Sequence, residues 1–391
     1  MKYPITVLLL TLSLYGIDFE TFKARIMRDS PLLQSLRLKE KIVQQRGEIT
    51  LLRQNPSLEI EGNRLDEKNG AHGDTGWRIG YTQPMRVPGL FSNLKKSTTA
   101  KIHTQRLEIR RSFAAFSARL ERLYTEYVYT AKRTELAQKE VQIASRLEKI
   151  TRSRLKSGFT SRAKLMQIAL ERREARYRAL LWKQKSENAY FNLLSHAGVE
   201  HNVTLQKRFL YDPATPPLPT SLQNPDLLAK KSRTKALKLE AASYDYRIRS
   251  WNLFGEYEDE SDQRIARLGV AIDLPFSGQN QERAKLLRIE AKANELRTEA
   301  FEKRQRIRLR ALESRVKHLR ERYRFIRSLI RDQKRLLRLF EEGYRLSGGE
   351  LLDLISAKNR LIAHKTTLLD LQRESNIQII EQNYLEGKYY E

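Results

Sequence analysis

The chain is written twice, and that duplication limits its architecture more than any other feature. Each half opens a charged helical stretch with a capping-type residue and a proline, "SPLL" at 30–33 and "NPDLL" at 224–228. Ser30 and Asn224 suit an N-cap, and the prolines suit the first helical position. Two strand-like segments follow in each half, "SLEIEGN" (57–63) with "WRIGYTQ" (77–83), then "WNLFGEY" (251–257) with "RLGVAIDL" (267–274). Both pairs close on proline and glycine, "PMRVPG" at 84–89 and "PFSG" at 275–278. A long charged helical stretch comes next, then a turn, "KSGFTS" (156–161) or "EGYRLSGG" (342–349). In the last helices Ala169, Ala175 and Asn188 match Ala357, Ala363 and Asn376 at a constant separation of 188 residues.

The expected organisation is a signal peptide over 1–16, a first repeat over 17–211, a proline-rich linker over 212–225 and a second repeat over 226–391. The first repeat has strands at about 56–66 and 76–84 and a tip turn at 157–162. The second has strands at about 251–259 and 264–274 and a tip turn at 343–349. The signal reading rests on "ITVLLLTLSL", which has the length of a signal-peptide core and is too short for a membrane helix. A buried N-terminal segment is the alternative. No other apolar run approaches the roughly 20 residues a membrane helix needs, so any membrane entry falls to strands.

The helices pack by heptads. In the second copy Leu309, Leu312, Val316, Leu319, Tyr323, Ile326, Ile330, Gln333, Leu337, Phe340 and Tyr344 step strictly by three and four. Phe113, Phe116, Leu120, Leu123, Tyr127, Thr130, Thr134, Ala137, Val141 and Ala144 do the same in the first. Sustained 3.5-residue spacing implies coiled-coil packing. Gln333 and the two threonines soften the seams, which suits a multi-helix wall better than a dimer zipper. Lengths are consistent with that wall. A helix over 92–156 spans roughly 98 Å, against about 52 Å for 163–197 plus about 42 Å for 223–250. A helix over 279–342 spans about 96 Å, against about 107 Å for 350–386 and 18–52 together.

All four strand segments alternate. One face carries Leu58, Ile60, Trp77, Ile79, Tyr81, Trp251, Leu253, Tyr257, Leu268, Val270, Ile272 and Leu274. The other carries Glu59, Glu61, Arg78, Thr82, Asn252, Glu256, Arg267 and Asp273. Apolar outside, polar inside, with Trp and Tyr near strand ends, is the pattern of a membrane β-barrel with a wet lumen. A small sheet packed on the helices of a soluble protein alternates equally well. Four strands cannot close a membrane barrel, which needs at least eight, but three copies supply twelve.

Composition excludes more than it selects. Lys and Arg number 74 against 47 Asp and Glu, a net charge of +27. The cations are interleaved with Glu along helical stretches, as on a solvated helix face, and no nucleic-acid-binding signature accompanies them. Nucleic acid is therefore an unfavoured partner. The absence of cysteine rules out disulfides, thiolate metal sites and Cys nucleophiles. His72, His103, His196, His201, His318 and His364 are scattered without metal-ligand spacing. There is no phosphate loop, nucleophile elbow or dinucleotide fingerprint. The Gly-rich "NGAHGDTG" (69–76) joins two strands and opens no helix, so it reads as a hairpin loop. No enzyme activity and no cofactor is expected.

With "TQPMRVPGLFSNLKK" (82–96) and "IDLPFSGQNQERAK" (272–285) after the hairpins and "GGELLDLISAKNRL" (348–361) at the second tip, the chain resembles the TolC-type outer-membrane efflux proteins. The ordered duplication, over essentially the whole chain, carries the resemblance. It implies a mainly α fold with a small β part, duplicated as helix–β-hairpin–long helix–turn–helix. The expected assembly is a homotrimer with a 12-stranded barrel in outer-membrane lipid, above a long α-helical barrel in the periplasm. Such a trimer is a passive exit duct for a tripartite efflux or type I secretion system, joined to an inner-membrane pump and a periplasmic adaptor. The segments after the hairpins lean toward the metal-cation efflux type, CzcC and CusC. The other reading is a soluble, basic coiled-coil protein that binds nucleic acid or acts as a scaffold.

The resemblance also suggests channel-mouth residues, because acidic side chains near the second tip turn ring the tunnel mouth in this family. Asp353 holds the first such position, Ser356 replaces an acid at the next, and Leu165 stands at the equivalent place in the first copy. One acidic ring is therefore missing. Glu350 is the second candidate. Either carboxylate also fits an ordinary helix first turn, and the residues leave both roles open. No catalytic, cofactor or metal residues are expected.

Overall fold

The structure is a computed structural model, and it describes residues 16–65, 74–215, 224–246, 248–260, 262–274, 278–346 and 350–389. Most of the expected signal segment (1–15), the heart of the proline-rich linker (216–223) and the end of the second tip turn (347–349) lie outside the described residues.

Seven helices and four strands are present among the described residues. They are α1 (Phe19–Asp29), α2 (Pro31–Leu51), β1 (Ser57–Leu65), β2 (Asp74–Arg86), α3 (Pro88–Lys156), α4 (Arg162–Ala197), α5 (Pro225–Ser243), β3 (Ser250–Asp259), β4 (Arg264–Ile272), α6 (Gln279–Leu346) and α7 (Leu351–Leu385). The fold is thus mainly helical, with two rounds of helix, hairpin, very long helix and shorter helix. Two compact units can be separated. One holds residues up to Leu36, Ser112–Asn224 and Arg304–Glu391, and the other holds Arg37–Arg111 and Pro225–Lys303.

Two helical expectations need correcting. The stretch 18–52 is not one helix, because it breaks at Ser30. Pro31 supplies no N–H and pushes the residue before it out of the helical region, and Ser30 sits at φ −62°, ψ 122°. The helix expected over 223–250 stops at Ser243, whose hydroxyl donates back to the Glu240 carbonyl at 2.7 Å. The chain then extends into β3.

In the first unit the core is a set of helix seams. On α6, Leu309, Leu312, Val316, Leu319, Tyr323, Ile326, Ile330, Leu337 and Tyr344 are buried, one heptad stripe deep. Gln333 lies half-buried in that seam and donates to the Ala357 carbonyl at 3.1 Å. α3 differs from the expected single stripe. Ala114, Ala118, Tyr124, Thr125, Val128, Ala131 and Leu147 are buried as deeply as the heptad positions, so this helix is covered on a broad face. Small residues on that face let neighbouring backbones approach. Phe19, Phe22 and Ile26 of α1 pack there with Leu193 and Leu194 of α4.

A buried carboxylate ties the unit's loose ends to α3. Glu121 accepts from Lys23 Nζ (2.9 Å), the Tyr211 hydroxyl (2.9 Å) and the Tyr389 hydroxyl (2.6 Å). Asn376 pairs with both the N–H and the carbonyl of Tyr211 at 2.9 Å, fixing the segment after α4. Burial and the adjacent Glu121 carboxylate raise the Tyr211 phenol above its ordinary range. A second buried charge, Lys358 on α7, is fully enclosed and paired with Glu171 of α4 at 2.6 Å.

Candidate membrane-facing sheet and channel mouth

All four strands lie in the second unit and form one antiparallel sheet in the order β1-β2-β3-β4. Its central pair, β2 with β3, joins the hairpins of the two halves. Register places Ile60, Ile79, Tyr257 and Ala266 in one cross-strand row, and Leu58, Tyr81, Gly255 and Leu268 in the next. Further rows align Gln83, Leu253 and Val270, then Met85, Trp251 and Ile272. Trp77 stands with Gly62, Asp259 and Arg264 at the opposite margin. Eleven of the twelve residues expected on the apolar face lie within these strands and share one face, and Leu274 follows the end of β4. Aromatic rings mark both margins, with Trp77 against Tyr257 at 5.5 Å on one side and Trp251 on the other.

The burial of the two faces is inverted relative to a soluble sheet. The apolar face is open: Leu268 is 82% exposed, Ile60 73% and Val270 56%. Along β2 the sequence Trp77, Arg78, Ile79, Gly80, Tyr81, Thr82 alternates, and each apolar member is the more exposed neighbour. On the polar face Glu256 and Glu258 keep only 17% and 16% of their side chains exposed. Their charges are matched by cations across the strands. Arg78 lies 2.5 Å from Glu61 and 3.1 Å from Glu256, while Arg267 lies 2.8 Å from both Glu256 and Glu258. This ladder was not foreseen from the sequence. Its signal was present, since acids and arginines occupy the same polar parity of adjacent strands, but their matching depends on register. Phe254 and Ile265 are apolar residues on the polar face, Ile265 opposite Glu258 and Phe254 opposite Gly269. Phe254 covers Gly269, where an added Cβ would lie 2.5 Å from its ring.

The mouth candidates belong to the first unit. The α3–α4 turn passes through Gly158 at φ +74°, a conformation that favours glycine, and exposes Phe159. Arg154, near the end of α3, lies over the Tyr344 ring at 4.5 Å and donates to the Tyr344 carbonyl. It also donates to the Phe159 carbonyl at 3.3 Å. Those contacts hold the last turn of α6 against the last turn of α3. α7 then starts with Glu350 at its N-cap, making no side-chain capping bond. Leu351, Leu354 and Ile355 bury into the helix core, which turns Leu352, Asp353 and Ser356 to solvent. Asp353 and Glu350 are both exposed, whereas Leu165 is half-buried against that core.

Among the described residues no group of three or more His, Asp or Glu is placed to hold a metal ion. No described helix is long and apolar enough to cross a membrane.

The duplicated order of elements and the four-stranded meander define the fold of the outer-membrane factor channels, the TolC-type architecture. The chain is similar to CusC, described for conformational changes accompanying folding and transmembrane channel formation. The TM-score is 0.82 at 14% identity over 96% of this chain and 95% of that one. The outer-membrane channel OprN gives 0.81 at 13% identity, over 95% and 90% of the two chains. The Campylobacter jejuni outer-membrane channel CmeC gives 0.78 at 12% identity, over 94% and 85%. At these identities the likeness is one of fold. No protein-family model and no curated relative matches the sequence.

Proposed function

We propose that the chain is a passive exit duct of the outer membrane, acting as one member of a tripartite efflux assembly. In this reading three copies contribute four strands each to a 12-stranded barrel, and their helices line a periplasmic passage. A periplasmic adaptor and an inner-membrane pump supply selection and energy, and the duct itself performs no chemistry. The inverted sheet carries the proposal. In water an open face of Leu, Ile, Val, Trp and Tyr is unfavourable by roughly 25 cal/mol per Å² of apolar surface. Against lipid the same face is matched, and the Arg–Glu ladder lines a wet interior.

The free edges support closure by further copies. β1 and β4 end the sheet, and an open edge is forbidden in lipid. Because all neighbours are antiparallel, β4 of one copy can pair antiparallel with β1 of the next, a head-to-tail contact that closes as a ring. Asp353, with Glu350 beside it, is the proposed lining of the periplasmic mouth. The lean of the segments after the hairpins makes metal cations one cargo class to test. Nothing in the sheet favours the soluble nucleic-acid-binding alternative.

Membrane fractionation of cells expressing the chain with and without residues 1–16, then sizing of the extracted protein, tests the proposal. The expected result is an outer-membrane, detergent-stable trimer that depends on those residues. A monodisperse monomer, soluble without detergent, refutes it.

A further inference from the structure

Most of the chain's +27 charge lies on the two long helices, and α3 carries 16 Lys and Arg against 6 Glu. α6 carries 21 Lys and Arg against 10 Asp and Glu, whereas α7 carries four of each. Within α6 the cations form a row. Lys317, Arg320, Arg324, Arg327, Arg331, Lys334 and Arg338 are spaced by alternate steps of three and four, with no acid between them in the series. Arg310, Lys317, Arg324, Arg331, Arg338 and Arg345 repeat every seventh residue along it, and all six are exposed. Among the described residues none of those six has a carboxylate within ion-pair distance.

Local helix stability does not explain the row. Arg320, Arg327, Arg331 and Lys334 have no acid three or four residues away on either side. Their neighbours at those spacings include further cations, an arrangement that opposes helix formation. A homo-oligomer leaves the overall excess in place, since each added copy brings the same net positive charge. The field reaches the facing helix as well. Lys365 of α7 is held below the ordinary lysine range, first by burial and then by Lys334 and Lys139.

A protein partner fits the row poorly. Interface cores are depleted in charge, and covering seven successive cations strips their hydration at high cost. The exposed Phe325, Leu339 and Leu346 lie about 100° further around the helix, so the row has no apolar anchors of its own. Arg320 is half-buried and donates to the Thr215 carbonyl at 2.7 Å, but for the exposed members of the row a water-filled path keeps the cations hydrated and still exploits their field. Seventh-residue neighbours are about 10.5 Å apart along the axis, and the intervening Arg320, Arg327 and Lys334 roughly halve that gap. The Debye length is about 8 Å at physiological salt, so the row acts as a continuous positive strip.

We propose that the α6 row lines the water-filled passage and makes it selective for anionic solutes. This inference rests on the exit-duct reading. Low-dielectric walls focus such a field and raise the local concentration of counter-charged solute.

The test is reversal potential across a planar bilayer in a KCl gradient, using the full chain. Wild type should prefer chloride. Replacing Arg324, Arg331 and Arg338 together by Gln should lower the anion-to-cation permeability ratio severalfold, and replacing them by Glu should invert the sign of the potential. Arg331→Gln alone should give a smaller shift in the same direction, and it guards against misassembly of the triple variants. A conducting wild type that prefers potassium, or unchanged selectivity in the triple variants, overturns the inference and leaves the duct standing. Unchanged selectivity combined with weaker adsorption to polyphosphate would place the row on an outer surface, which also overturns it. A wild type that carries no current refutes the duct and this inference with it.

Discussion

Leu268→Arg separates a lipid-facing sheet from a solvated one more sharply than any other single change. Leu268 is the fifth of nine residues in β4, it aligns with Leu58, Tyr81 and Gly255, and it is 82% exposed in the single chain. In a soluble sheet, arginine at so open a site changes stability by at most about 0.5 kcal/mol. On the lipid face near mid-bilayer the cost is about 2–4 kcal/mol per copy. At about 1.4 kcal/mol per tenfold, that lowers the folding equilibrium constant roughly 30- to 700-fold. Ala271→Arg is the matched control. Ala271 lies three residues along the same strand and is also exposed, but it has the opposite parity, aligned with Asn252 on the polar face. Urea titration of both variants in lipid vesicles, followed by tryptophan fluorescence, measures the difference. Equal midpoints for Leu268→Arg and Ala271→Arg would show that the two faces meet the same solvent, and the lipid-facing argument would fail.

Three further outcomes follow from the first unit. Glu121→Ala strands Lys23 and two tyrosine hydroxyls and should destabilise that unit by about 3–5 kcal/mol, measured by thermal melting in detergent. Lys358→Ala leaves Glu171 without its partner and should cost a similar amount, whereas Lys358→Met combined with Glu171→Leu should recover most of it. His196 stacks on Phe116 at 4.5 Å, and burial holds it below its ordinary value of 6.5. Between the two values the unfolded chain binds the extra proton. Its contribution is therefore intact above about pH 6.5 and is lost as pH falls toward the folded value. His196→Gln should flatten that part of the melting-temperature profile, and an unaltered slope would assign the dependence to other groups.

The parts of the fold legible in the sequence are those written in local period. Strand parity put Ile79, Tyr257 and Val270 on one face without knowledge of the register, because side chains alternate strictly along a strand. The α6 seam was equally plain, since each buried residue is one heptad step from the next. The break at Ser30 was visible as "SPLL", but matching helix lengths hid it, because a sum of lengths does not record an interruption. The breadth of burial on α3 was not legible. It comes from elements distant in sequence covering alanines and threonines that periodicity treats as neutral. Glu121 and Lys358 read as ordinary solvated charges, because their partners Lys23 and Glu171 are 98 and 187 residues away. The Arg–Glu ladder failed for a related reason. Parity was clear, but pairing needs the hydrogen-bond register.

The two signals bearing on cargo disagree, and the disagreement has a physical resolution. The segments after the hairpins lean toward metal-cation efflux, yet a passage lined by α6 would present a positive strip that a bare cation must cross. Similarity in those segments concerns how strands leave the sheet and enter a helix, where proline and glycine set backbone geometry. A solute crossing a passive duct does not respond to that geometry. It responds to charge along its path, and on α6 that charge has one sign at seven positions spaced by three and four. A single acid per copy at Asp353 sets only a local field, screened within about 8 Å at physiological salt. On the proposed placement of both, the row should therefore dominate permeability, with Asp353 confined to block by multivalent cations. A metal ion would cross such a passage most readily as an anionic complex.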